Sequence, residues 1–405
     1  MVLSVNSVNS LVNDFPLFIL VLIAIFVGWA LGRRTSFPFI SNKINQQHKS
    51  LPDEYFRGLN FLLNEQSDKA IDVFIKNLNV NQDTIDTHLA LGRMFCRRGE
   101  VDQAITVHKN LLAASCLNER QRFNVSLELA RDYLAAGILN RAEETFHKLL
   151  EESGGTSQDC MRNLIQLYEH EKDWNKAIQI AKQLAKTGDK QAVQFIAHYY
   201  CELAQSTLQE KELKQSKKYI EKALAFDSKS VRASLLEGQL EYQEKNYTKA
   251  IEALKRIKLQ NPDYISESVE PLKQCFNKAG NEEELVSYLS ACAQEYPAIS
   301  VVLALADIVG SHQGDTVAAG IIADYLKKVP SVRGLNRLID FHIEHSKGKS
   351  KENLSILRDL TENLIAHKPV YHCESCGYSG KVLYWLCPSC RQWGTVKPIH
   401  GLEGE

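Results

Sequence analysis

The chain has 405 residues, with 48 Lys and Arg against 49 Asp and Glu, for a formal net charge of -1. That balance excludes a generally basic, phosphate-tracking protein, because affinity for nucleic acid rests on clustered Lys and Arg. Glycine and proline are scarce, at 21 and 10 residues, beside abundant Leu, Ala, Glu, Lys and Gln. Such a composition excludes a turn-rich β fold and favours helices, in two or three domains or one elongated array.

Residues 15–31 read FPLFILVLIAIFVGWAL without a charge. At about 1.5 Å per residue the run spans roughly 25 Å, the short end of a bilayer crossing. A cleaved signal would carry positive charge before its apolar stretch. Here residues 1–32 contain no Lys or Arg, whereas Arg33, Arg34, Lys43 and Lys49 follow. The pattern predicts a short external N-terminus over 1–14, a transmembrane helix over 15–32 anchored by Trp29, and a linker over 33–50. The flanking positive charges put the bulk of the chain on the cytoplasmic side.

From Leu51 onward the sequence resembles itself at a step of 34 residues: Gly58 and Ala70 are matched by Gly92 and Ala104. With insertions, the frame continues through Ala130/Ala142, Ile165/Ala177, Ala204/Ser216, Gly238/Ala250, Lys273/Leu285 and Ala306/Ala318, and Pro262, Pro297 and Pro330 stand at repeat ends. Small residues at two fixed places let antiparallel helices approach closely. Large residues between them fill the space to the next hairpin, and no hairpin buries its apolar face alone. The pattern resembles the tetratricopeptide repeat over residues 51–368, about nine hairpins in an all-α superhelix. The inner face of that repeat type holds protein segments. The positions implied to line it carry Arg93, Arg97, Arg131 and Arg162, which would suit an acidic partner through bidentate pairs. Pairing with Glu and Asp on neighbouring hairpins is the other reading of the same four residues.

Of the ten cysteines, Cys96, Cys116, Cys160, Cys201, Cys275 and Cys292 are scattered singly in apolar helical patterns, where a thiol behaves as a small hydrophobe. An oxidising compartment would put them at risk of scrambling, which agrees with a cytoplasmic body. The other four form Cys373-x2-Cys376 and Cys387-x2-Cys390, two knuckles whose thiolates can close a tetrahedral shell around one metal ion, iron or zinc. Gly377 stands where such a turn needs positive φ, and Pro388 stiffens the second knuckle. A module this small cannot bury a useful core, so its metal must supply folding energy. Tyr371, Tyr378, Tyr384, Trp385 and Trp393 give residues 369–400 more aromatic surface than they can hide, which predicts docking on the terminal helices of the array.

The CxxCGY…CPxC form resembles rubredoxin, which implies iron and leaves electron transfer or redox sensing as an alternative function. The spacer between knuckles is shorter than in electron-carrying rubredoxins, and Arg391 stands where they usually have glycine. A hydrolase would need an open coordination position and a base. Four cysteines fill the shell and no HExxH occurs among the 12 histidines, so the chain reads as non-enzymatic.

The layout as a whole is similar to the lipopolysaccharide assembly protein B family of Gram-negative bacteria. The likeness is carried by GWALGRR at 28–34, RGLNFLLNEQSDKAIDVF at 57–74, RGEVDQAI at 98–105, IAHYYCELA at 196–204 and LYWLCPSCRQW…KPIHGL near the end; residues 1–13 are an extra polar stretch. The resemblance implies an inner-membrane adaptor with a periplasmic N-terminus that regulates lipopolysaccharide synthesis. It would bring the deacetylase of the lipid A pathway to a membrane AAA+ protease, under the control of an inner-membrane regulatory protein.

Overall fold

A computed structural model of the chain describes residues 84–405, apart from 297, 403 and 405, together with scattered positions between 56 and 82. The transmembrane helix expected over 15–32, the linker over 33–50, Pro297 and most of the first repeat lie outside the described residues. Residues 1–79 and 80–405 form separate units. In the first, Gly58 and Ala70, the small positions of repeat one, are both buried. Among the described residues no helix is long and apolar enough to cross a membrane.

The second unit is a run of antiparallel helical hairpins followed by a small sheet. The helices are α1 (Ile85–Arg97), α2 (Val101–Leu112), α3 (Glu119–Ala135), α4 (Leu139–Glu152), α5 (Gln158–Glu171), α6 (Trp174–Lys186), α7 (Lys190–Gln209) and α8 (Leu213–Phe226). They continue as α9 (Val231–Gln243), α10 (Tyr247–Gln260), a 3₁₀ turn at Pro262–Tyr264, α11 (Ile265–Ala279) and α12 (Glu282–Glu295). The last two hairpins are α13 (Ile299–Gln313) with α14 (Asp315–Leu326), and α15 (Val332–His345) with α16 (Lys349–Ala366).

Local chemistry sets the helix ends. Asn118 and Gln121 form a reciprocal capping box on α3, and Asp173, Asp189 and Ser230 accept backbone N–H bonds at the starts of α6, α7 and α9. Within each hairpin the tight turn needs one residue at positive φ. It is Gly99, Gly137 and Gly280 in three hairpins and Lys172, Lys211 and Lys245 in three others.

The small positions do what their spacing implied. Ala104, Ala130, Ala142, Ala177, Ala204, Ala250, Ala306 and Ala318 are fully buried where paired helices meet. Ser216 keeps its place by donating to the Ala204 carbonyl at 2.9 Å. A methyl group added at Gly238 would lie 2.7 Å from Leu254, and one at Gly92 would lie 2.3 Å from His108 Nε2. His108 cannot yield, because its Nδ1 is held 2.5 Å from Asp132 Oδ2 in a pair that is almost wholly buried. Gly92→Ala is therefore expected to destabilise the array by about 1–3 kcal/mol despite alanine's better helix propensity. Thermal unfolding followed by circular dichroism checks this, and an unchanged midpoint would contradict the close approach.

Cys160, Cys201, Cys275 and Cys292 are buried in helices, as the apolar pattern predicted. Cys116 differs: it is half-buried in the turn between α2 and α3. Pro262 opens the 3₁₀ turn, at a place where its missing N–H costs nothing.

Residues 371–398 close into a three-stranded antiparallel sheet in the order β2-β1-β3, with β1 at Tyr371–Cys373, β2 at Ser379–Gly380 and β3 at Val396–Pro398. The buried rings Trp385 and Trp393 of this module pack in mid-array and not on the terminal helices, where its aromatic surface was expected to go and where Lys381 donates to the Ala366 carbonyl. Trp393 is built into the core of the hairpins from α2 to α9, and Leu383 and Trp385 pack on the core formed by α9 to α13. The correction has a physical reason. Polar groups and rings that answer those of the module stand on α5, α7 and α11, in mid-array.

Candidate metal centre and docking seam

The two knuckles repeat one backbone pattern. The N–H of Gly377 bonds the Cys373 carbonyl at 2.9 Å, and that of Arg391 bonds the Cys387 carbonyl at 2.9 Å. In return the N–H of Cys373 reaches the Tyr378 carbonyl at 2.7 Å, and that of Cys387 reaches Gln392 at 3.0 Å. Each turn has its pivot one residue after the second cysteine, with φ of 76° at Gly377 and 57° at Arg391. Glycine takes this conformation freely, whereas arginine bears a strain of about 1 kcal/mol or more.

The turns aim all four sulfurs at one point. Cys373 and Cys390 Sγ lie 3.7 Å apart, as do Cys376 and Cys387 Sγ, and all four fall within 4.8 Å of one another. A tetrahedron of sulfurs about 2.3 Å from a central ion has edges of roughly 3.8 Å, so the donor set fits one tetrathiolate-bound metal ion. Burial opposes ionisation of Cys373, yet the Thr395 hydroxyl beside its sulfur and the N–H groups of Cys376 and Ser375 outweigh it and hold the thiol at about 6. The backbone N–H of Tyr378 lowers Cys376, whereas burial pushes Cys387 up to about 11. A cation would supply the charge that stabilises the remaining thiolates.

The module is sewn into the array along one seam. Trp393 Nε1 donates to Glu169 Oε1 at 2.6 Å, and Tyr199 Oη donates to the same oxygen at 2.7 Å. Burial raises the Glu169 carboxyl pKa, against the two hydrogen bonds and the nearby charge of Arg391. The Trp393 ring stacks on His198 at 4.9 Å and meets Tyr199 and Trp174 edge-on at 5.7 and 6.2 Å. Burial, helped by Arg232, pushes His198 down to about 3, so it packs there as a neutral ring. Nearby, Trp385 stacks on Tyr264 at 5.5 Å, and Tyr264 Oη donates to the Val396 carbonyl at 2.9 Å. Tyr371 Oη donates to Glu267 at 2.7 Å, and Lys397 pairs with Asp263 at 3.0 Å. Among neighbouring first helices of successive hairpins, α5 and α7 make the weakest direct contact, and Trp393 stands between them.

None of these array residues stood out in the sequence as part of the site. Their nearest signal was the IAHYYCELA stretch, where His198 and Tyr199 interrupt an apolar helix.

Three of the four arginines singled out in the repeats make ion pairs. Arg131 lies 3.1 Å and Arg93 3.6 Å from Glu128, and Arg162 lies 2.9 Å from Asp189. Arg97 is exposed and makes no ion pair with a described residue. The structure thus brings Arg93 and Arg131 together over one carboxylate. Arg162 lies apart, beside the second knuckle in a pocket lined by Gln166, Asp189, Phe195, Arg391 and Trp393.

Comparison with known proteins agrees with this architecture. Residues 371–398 match the family described as "Rubredoxin metal binding domain", and residues 87–123 and 201–264 match tetratricopeptide repeat families. Lipopolysaccharide assembly protein B of Escherichia coli (strain K12) is 38% identical over 390 residues, 96% of this chain and 99% of that protein. The protein of the same name from Haemophilus influenzae Rd is 33% identical over 399 residues, 96% and 98% of the two chains. Among solved structures, a tetratricopeptide repeat protein from Parabacteroides merdae ATCC 43184 has 16% identity and a TM-score of 0.34, covering 69% of this chain and all of that one. Helical repeats and a thiolate module in one continuous likeness to the curated proteins leave one conclusion: this chain belongs to the lipopolysaccharide assembly protein B family.

Proposed function

We propose that this protein is a non-enzymatic, single-pass scaffold of the inner membrane that regulates lipopolysaccharide synthesis. Residues 15–32 hold it in the bilayer, and the hairpins over 51–368 present the lipid A pathway deacetylase to a membrane AAA+ protease. An inner-membrane regulatory protein adjusts the encounter. Cys373, Cys376, Cys387 and Cys390 hold one iron or zinc ion, whose part is to cross-link the two knuckles and so keep the 369–400 module folded in its seam. Confinement to the plane of the protease raises effective concentration without any new contact.

The observation that carries the reading is the end-to-end match to proteins named for lipopolysaccharide assembly. It is supported by the half-exposed Arg93, Arg131 and Arg162, which stand at repeat positions that the tetratricopeptide resemblance implies line the inner face. The test is a pull-down from solubilised membranes, comparing the intact chain with a Cys373→Ser, Cys376→Ser variant. The intact chain is expected to recover protease and deacetylase together, and the variant to lose both. Recovery of a reductase or other electron-transfer proteins in their place would favour the redox alternative and overturn the adaptor.

A further inference from the structure

We infer that Arg391 of the metal module completes a row with Arg93, Arg131 and Arg162, and that this row is a docking track for an extended acidic segment of a partner protein. The inference deepens the scaffold reading and rests on it.

The row can be followed residue by residue. Arg93 on α1 and Arg131 on α3 share the largely buried carboxylate of Glu128. Arg131 in turn lies close enough to α5 to pull down the Cys160 thiol, although burial raises that thiol on balance. Arg162, further along α5, is held by Asp189 at the start of α7. Beyond it lies the pocket of about 370 Å³ between these two helices and the second knuckle, with Arg391 on its far wall. Each carboxylate beneath the row is far less exposed than its arginines, at 13% for Glu128 and 10% for Asp189 against 50% for Arg93 and 57% for Arg162. The anions therefore orient the guanidinium groups from below, while their outer donors face solvent.

Arg391 differs from the others in having no ion pair with a described residue, and in standing at positive φ. The equivalent pivot of the first knuckle is Gly377, which shows what the turn alone requires. The other described non-glycine residues at positive φ, Lys172, Lys211 and Lys245, end helices inside the hairpins. Arg391 instead lines a pocket that also holds Arg162, above the carboxylates of Asp189, which pairs with Arg162, and Glu169, which Trp393 and Tyr199 hold by hydrogen bonds. A strained residue at the edge of a charged cleft is where function, rather than folding, selects the side chain. Guanidinium forks in a line suit carboxylates spaced along an extended chain. The Gln166 and Gln191 side chains at the pocket offer donors and acceptors to its backbone.

The experiment measures fluorescence anisotropy of a labelled (Glu-Gly)5 peptide with the full-length chain in detergent micelles, beside a (Gln-Gly)5 control. The acidic peptide is expected to bind and to be released by salt. Arg391→Gly suits the backbone better than arginine does, so the knuckle should keep its metal and its melting temperature. Binding should nevertheless weaken by roughly twofold to fivefold, the loss expected for one solvent-exposed ion pair. Arg131→Ala and Arg162→Ala, which leave the knuckles untouched, should weaken it similarly, and Arg358→Ala on α16 should not. Equal binding of both peptides, or an acidic-peptide affinity indifferent to Arg391, Arg131 and Arg162, would overturn the track. Should those results accompany normal recovery of protease and deacetylase, the track fails alone. Intact peptide discrimination without that recovery sinks the adaptor reading and leaves the track standing.

Discussion

Replacing Trp393 by alanine is expected to lower stability by about 3–5 kcal/mol, the usual range for removing a buried tryptophan. The ring fills the space between α5 and α7 and touches Trp174, His198 and Tyr199, so its loss leaves a void between two helices that make little direct contact with each other. Thermal unfolding of the full chain should show the array melting earlier together with the module. Unchanged melting would mean that α5 and α7 hold each other unaided. Trp393→Phe keeps a six-membered ring but loses the pyrrole part and the bond to Glu169, for a smaller expected cost of about 1–3 kcal/mol. Glu169 adds a dependence on pH. Its carboxyl pKa is raised in the fold, chiefly by burial, so the ionised form weighs against folding above that pKa. The handicap is relieved as pH falls through it. Glu169→Gln can still accept from Tyr199 and Trp393. It should therefore match or exceed the parent at neutral pH, with its advantage shrinking on acidification.

Loss of the metal should have the larger effect. Tetrathiolate sites contribute on the order of 10 kcal/mol of apparent folding free energy, far beyond what the small core of Cys373, Cys387 and Val396 can supply. Chelation, or Cys373→Ser with Cys376→Ser, is expected to unfold residues 371–398 and withdraw Trp385 and Trp393 from the seam. Trp174, Trp385 and Trp393 cluster there and the chain has 4 tryptophans in all, so its fluorescence reports almost entirely on this region. A red shift with new tryptic cleavage at Lys381 and Arg391 is the expected result. Chelated protein that keeps the parent spectrum and resists trypsin would show that the module folds without an ion.

The repeats were legible because their physics is local and periodic. The small residues at 92 and 104 are both buried in one hairpin, where Gly92 lies against His108, and the same pattern recurs at 238 and 250, where Gly238 lies against Leu254. Cysteine spacing was equally legible, since a knuckle is a turn of a few residues whose pivot, Gly377, can be read directly. The docking place of the module was not. Trp393 meets Glu169 across 224 positions, Tyr264 meets Val396 across 132, and Tyr371 meets Glu267 across 104. Such contacts have no period, and each array residue taken singly looks like an ordinary helix position. The arginines illustrate the same limit: the frame placed Arg93 and Arg131 on one face, but not the shared carboxylate of Glu128 beneath them.

The bond between Trp393 and Glu169 also orders events during synthesis. Helices α5 and α7 leave the ribosome about two hundred residues ahead of the ring that will lie between them. At about 5–20 residues per second the wait is roughly 10–45 s. Throughout that interval the nascent hairpins carry an open slot with a carboxylate at its base, into which an aromatic side chain of another protein could fit. A transcript broken shortly before codon 393 would still yield every described helix of the array, but with no ring between α5 and α7. Trp393 thus sets the packing of α5 beside α7 long after both helices have been made.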